Sequence, residues 1–123
     1  MLTHPREPAS MISEMSYHND LIQKLRQFRD ERDWEQFHNA KDLALAINVE
    51  AGELLEAFLW KKDVYAKAEK VQEELADVFT YALLLADKLD LDVEAIVLKK
   101  MEENEKKYPV EKAKGTAKKY TEL

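Results

Sequence analysis

Cysteine is absent from the 123 residues, which removes disulfides, thiol nucleophiles and cysteine metal sites and leaves any chemistry to oxygen and nitrogen groups. Glycine and proline are scarce, with 2 and 3 copies, and with them goes the punctuation that hairpins and short strands require. No apolar run approaches the ~20 residues that span a bilayer. The apolar pieces are as short as Tyr81 to Ala86, and the first residues hold no apolar secretory core. A cytoplasmic protein with no membrane partner is therefore expected. Excess positive charge is lacking too: 19 Lys and Arg stand against 25 Asp and Glu, a net charge of −6. A nucleic-acid polymer needs a clustered basic surface, so it is not an expected partner, whereas a small anion held by local lysines is still open.

What is present is helix-forming sequence, dominated by Ala, Leu, Glu and Lys, in a chain the length of a single domain. Residues 1–16 mix Pro5, Pro8, Ser10 and Ser13 without a period and read as a flexible tail. Residues 17–110 read as one helical domain of four main helices, and 111–123 as a basic C-terminal tail. A first helix over Tyr17 to Arg32 carries Leu21, Leu25 and Phe28 at i, i+4 and i+7. Asn39 followed by Asp42 predicts an N-cap opening a second helix to about Trp60. The third is expected over Val64 to Leu89, with Val71, Val78, Ala82 and Leu85 on one side and Phe79 and Leu83 on the other. The fourth, capped by Asp90 to Asp92, must stop near Tyr108, because Pro109 disfavours helix in the residue before it.

The second helix holds Leu43, Ile47, Leu54 and Phe58 on one stripe, and Leu45, Leu55 and Leu59 on the opposite side around Gly52. A helix apolar nearly all round is buried on two sides, which so short a chain hardly achieves alone. The periodicity thus implies an all-α antiparallel bundle assembled as a homo-oligomer.

Glu50 and Glu53 are i and i+3 on the second helix, as Glu74 and Asp77 are on the third, so each pair projects from one face. Spacing alone decides little, since Glu102 with Glu105 and Asp87 with Asp90 share it. Company separates the pairs. Glu50 falls between Leu43, Ile47 and Leu54, and Glu74 and Asp77 flank the stripe of Val71, Val78 and Leu85. Acids inside a core-facing stripe require a compensating cation, and oxygen-only ligands suit Mg²⁺, Mn²⁺ or Ca²⁺. The competing reading is four solvated charges on a non-catalytic interaction module. A di-iron bundle would want Glu-x-x-His motifs, and His4, His18 and His38 all precede the second helix.

On the fourth helix the stripe of Val93 and Val97 continues as Lys100, Asn104 and Lys107, donors suited to phosphate oxygens unless the lysines only snorkel outward. Trp34 and Trp60 bracket the second helix, with His38 one turn beyond Trp34, and such rings either stack a nucleobase or fill a core. Tyr81, four residues after Asp77, points the same way as the acids.

The arrangement Glu50-x-x-Glu53, 20 intervening residues, then Glu74-x-x-Asp77 resembles the paired motif of the all-α nucleotide pyrophosphohydrolases, or MazG-like family. The run Glu31 to His38, Phe58-Leu59-Trp60, Lys100-Met101 with Asn104, Tyr108-Pro109 and Lys119 to Leu123 are similar to the dCTP pyrophosphatase branch. The likeness extends from about Leu21 to Leu123. It implies Mg²⁺ (or Mn²⁺) at Glu50, Glu53, Glu74 and Asp77, with Glu50 or Glu53 as catalytic base. It also implies a nucleoside triphosphate contacted by Trp34, His38, Trp60, Tyr81, Lys100 and Asn104, a tetramer built as a dimer of dimers, and hydrolysis of dCTP or another dNTP, such as dATP or dUTP, to monophosphate and pyrophosphate. Leu25 stands where animal members carry a histidine near the base, and the connection from Trp60 to Glu74 is shorter than theirs.

Overall fold

The structure, a computed structural model, describes residues 17–60 and 66–123, so the expected tail over 1–16 and the polar connection at 61–63 lie outside the described residues. Those residues form five α-helices and two short 3-10 turns, with no strand among them. The helices are α1 (Tyr17–Glu31), α2 (Ala40–Glu56), α3 (Ala68–Lys88), α4 (Val93–Lys107) and α5 (Val110–Ala113). The protein is all-α, and no described helix is long and apolar enough to cross a membrane.

Local chemistry sets the helix ends. Asn39 caps α2, its side chain accepting from the Asp42 N–H at 2.8 Å while its amide donates to the Asp42 carboxylate at 2.9 Å. Asp92 caps α4 by accepting from the Ala95 N–H at 3.0 Å, and α4 ends at Tyr108 before Pro109. Helix α2 stops at Glu56, short of the expected Trp60: residues 57–60 are turn, and Trp60 itself adopts φ 63°. Helix α3 begins at Ala68, and the expected start at Val64 lies outside the described residues.

The chain divides into two compact units, the first ending at Asp90 and the second spanning Leu91–Leu123. In the first, α3 packs against both α2 and α1. That double packing corrects one expectation: Phe79 and Leu83, expected together on one side of α3, differ, Leu83 being buried and Phe79 exposed. A second correction concerns α1, whose buried residue is Ile22 with Leu25 and Arg29 half-buried beside it, whereas Leu21 and Phe28 are largely exposed. The face is turned by about one residue from the Leu21, Leu25, Phe28 stripe, because contact with α3 and not mean apolarity selects it.

Helix α2 behaves as its two stripes require. Leu43 is 2% exposed, Ala57 is buried, and Ile47, Leu54 and Phe58 are half-buried, while Leu45, Val49, Leu55 and Leu59 face outward. A Cβ built on Gly52 would meet nothing within 4 Å, so the outer stripe has a smooth centre.

In the second unit the segment beyond Pro109 is ordered by its own contacts. Helix α5 follows Pro109, and a 3-10 turn at Tyr120–Glu122 brings the Tyr120 ring edge-on to Tyr108 at 6.1 Å, with the Lys107 ammonium 4.9 Å from its centroid.

Candidate active site

Helices α2 and α3 bring carboxylates together where they pack. Glu50, Glu74 and Asp77 each offer an oxygen within 4.8 Å of the others. Glu50 is half-buried and Glu74 only 6% exposed, because both occupy the stripes that pack α2 on α3; Asp77 is at the exposed margin. One cation already leans on the group: the Lys70 ammonium pairs with Glu74 Oε1 at 2.6 Å, one turn earlier on α3. That contact holds the Glu74 carboxyl below its usual range and raises Lys70.

Glu53 stands outside the trio but against it. Hydrogen bonding and negative charge from Glu50, then from Glu74, push its carboxyl up to about 7. Glu50 Oε2 and Glu74 Oε2 are buried with no hydrogen-bond partner among the described residues. Orphaned anionic oxygens in a buried position need a cation, and the single lysine serves only one oxygen of one of them. Three carboxylate oxygens within 4.8 Å of one another would converge on one divalent ion by side-chain rotation. An all-oxygen, partly buried set of this kind fits a hard divalent cation.

Beside the trio lies a cavity of about 340 Å³ lined by Leu25, Phe28, Arg29, Trp34, His38, Asp77, Thr80, Tyr81 and Leu84. Asp77 belongs to both cavity and acid group. The wall from α1 is delivered by its C-terminus: Asp33 takes φ 53°, which an aspartate tolerates, and the Trp34 N–H donates to the Arg29 carbonyl at 3.1 Å. The chain thereby turns Trp34 edge-on to Phe28 at 5.7 Å, and the Arg32 guanidinium covers the Phe28 ring at 3.7 Å. The 3-10 turn Glu35–Phe37 then sets His38 into the cavity. Burial, then the Arg29 charge, hold the His38 imidazole below its ordinary pKa, and its Nδ1 is buried with no partner among the described residues.

Of the residues singled out in the sequence, Trp34, His38, Tyr81 and Asp77 meet in this cavity. Trp60 does not line it; its ring is 98% exposed. Lys100 and Asn104 lie on α4 in the second unit, where Lys100 pairs with Glu103 at 3.4 Å. Sequence reasoning missed Arg29, Phe28, Thr80 and Leu84 in the wall and Lys70 at the acids. For Arg29 the signal was available, a charge on the face that carries Ile22 and Leu25, but it emerges only once the buried face of α1 is known.

A MazG-like family model matches residues 45–123. Among curated proteins, a Bos taurus dCTP pyrophosphatase 1 is 40% identical over 94% of this chain and 73% of its own length. The Homo sapiens dCTP pyrophosphatase 1 is 43% identical over 79% of this chain and 62% of its own. Among solved structures, a pyrophosphatase from Archaeoglobus fulgidus superposes with a TM-score of 0.72 at 34% identity, covering 89% of this chain and 99% of that one. The chain therefore belongs to the MazG-like family, among its nucleotide pyrophosphohydrolases.

Proposed function

We propose that this protein is a Mg²⁺-dependent nucleoside triphosphate pyrophosphohydrolase that converts dCTP or a related dNTP to its monophosphate and pyrophosphate, clearing the cytoplasmic nucleotide pool. The carrying observation is the carboxylate trio, with two orphaned buried oxygens, beside a 340 Å³ cavity that shares Asp77 with it. The names of the bovine and human relatives supply the dCTP preference.

In this reading Glu50, Glu74 and Asp77 hold the cation, with Glu53 completing the set from α2. A divalent ion bound there supplies positive charge that neutralises phosphate oxygens and makes a nearby water more acidic. Glu53, outside the trio yet under the influence of Glu50 and Glu74, orients a water in line with the α-phosphorus and takes its proton, with Glu50 as the alternative base. The water oxygen bonds to phosphorus, the α–β bridging bond breaks, and its electron pair leaves with pyrophosphate. Trp34 and Tyr81 flank the nucleoside in a cavity whose apolar wall excludes water. Trp60, Lys100 and Asn104 are further contacts on the strength of the family likeness alone.

The outward stripe of Leu45, Val49, Leu55 and Leu59, contiguous and apolar, supports assembly with further copies of the chain as a tetramer, a dimer of dimers. The deciding experiment incubates the protein with each common nucleoside triphosphate, in Mg²⁺ or EDTA, and resolves monophosphate plus pyrophosphate from diphosphate plus phosphate. The first product pair, lost in EDTA, is expected; diphosphate and phosphate, or no turnover of any nucleotide, overturns the proposal.

A further inference from the structure

The cavity wall contains one permanent charge that neither the acids nor the family likeness employs. Arg29 is largely buried, its side chain 12% exposed, in a wall it shares with leucine and aromatic side chains as well as His38, Asp77 and Thr80. Its Nε donates to Asp30 at 2.8 Å. Nη1 stands 3.6 Å from Asp87 Oδ2, beyond a hydrogen bond, and Nη2 has no acceptor among the described residues. Asp87 does not need Arg29, since Arg26 donates to its Oδ1 through Nε at 2.8 Å and through Nη2. A guanidinium held in place on one edge thus keeps its fork unspent, and it can only donate.

Its place along α3 is informative. Asp77, at the acids, and Asp87, beside Arg29, are ten residues apart on one helix, about 15 Å at 1.5 Å per residue. An extended nucleoside monophosphate with a contact at each end is of comparable length. With the phosphates at Asp77 and the rings of Trp34 and Tyr81 along the cavity, the far end is where a base edge lies. His38 lines the same cavity and presents a buried Nδ1 with no partner among the described residues. Burial, then the Arg29 charge, lower the His38 pKa and so favour the neutral imidazole, which carries one acceptor nitrogen.

We propose that Arg29 selects the base, donating from its fork to two adjacent acceptors, N3 and O2 of a cytosine, while His38 accepts from the exocyclic amino group. This deepens the proposed function and rests on it. Cytosine presents donor, acceptor, acceptor along that edge. Uracil and thymine place an N–H where Arg29 requires an acceptor, and adenine offers no adjacent acceptor pair there. A buried donor left facing a donor is a heavy penalty, and such sites discriminate strongly.

The test compares wild type, Arg29→Met and Arg26→Lys with dCTP and dUTP in Mg²⁺, and measures dCMP and dUMP binding by calorimetry in EDTA. Arg29→Met is expected to lower the dCTP:dUTP ratio of kcat/KM by roughly 10- to 100-fold, mainly through KM, and to abolish the preference for dCMP. Arg26→Lys, which keeps a cation on Asp87 and so leaves the Arg29 fork unspent, should keep the preference. An unchanged ratio in Arg29→Met, the same loss in Arg26→Lys, or a wild-type preference for any base other than cytosine overturns the inference while leaving the reaction standing. Absence of any turnover by wild type would instead sink the proposed function, and the product-binding comparison would still decide Arg29.

Discussion

Replacing Glu74 by glutamine keeps its volume and removes one of the three carboxylates whose oxygens lie within 4.8 Å. If the proposed site binds Mg²⁺, about a hundredfold excess over its dissociation constant should stabilise the folded wild type by about 2.7 kcal/mol. A chain of 123 residues unfolds with an entropy of about 0.26 kcal/mol per kelvin, so the midpoint should rise by roughly 10 °C. In Glu74→Gln only Glu50 and Asp77 of the trio keep their charge. Losing a ligand costs at least as much affinity as losing its outer support, roughly 100-fold, which leaves about 0.4 kcal/mol at the same Mg²⁺ concentration and a shift of about 2 °C. The assay is thermal unfolding followed by circular dichroism, in EDTA and in Mg²⁺ at matched ionic strength. A wild type that ignores Mg²⁺, or a variant that gains as much as the wild type, would refute the assignment of a metal to these carboxylates.

The metal-free protein should lose stability as pH rises, because the folded chain holds a proton on Glu53 up to about 7 that an unfolded carboxylate releases near 4.5. The contribution is complete below about pH 4.5 and gone once pH passes 7, so urea midpoints in EDTA should fall between pH 5 and 8 and recover with Mg²⁺; a rise would contradict the crowding of acids. Asp87→Ala, which strips the partner of Arg26 and leaves the mostly buried Arg29 with one fewer counter-charge, should cost about 3 kcal/mol in denaturant unfolding, and a loss below 1 kcal/mol would show the α1–α3 tie to be ornamental. Trp34→Ala should raise the nucleotide KM by roughly tenfold with kcat little changed, whereas an unchanged KM would remove Trp34 from the binding wall. Leu55→Glu, placed in the outward stripe of α2, should shift the protein to a smaller species in light scattering, and an unaltered mass would exclude that stripe as an interface.

The acids of the site were legible before any coordinates, because their signal is local. A carboxylate interrupting an apolar stripe at helical spacing is written into consecutive residues, as with Glu50 among Leu43, Ile47 and Leu54 and Glu74 beside Val71 and Val78. The caps at Asn39 and Asp92 are local in the same sense. The cavity is not. It is assembled from the C-terminal half of α1, a 3-10 turn and the middle of α3, and it exists only because those segments meet.

The sequence by itself determined that this chain is helical, where its helices are capped, that α2 is apolar on two sides, and which acids interrupt the stripes, since each follows from spacings of three or four residues along one helix. Tertiary structure alone decided which face of α1 is inside, that Leu83 is buried, that Glu53 stands outside the trio yet under the influence of Glu50 and Glu74, that Trp60 points to solvent, and that Arg29 becomes part of the cavity wall. Those outcomes depend on which helices pack together, and packing is selected by contacts between residues far apart in the chain, which no local period encodes.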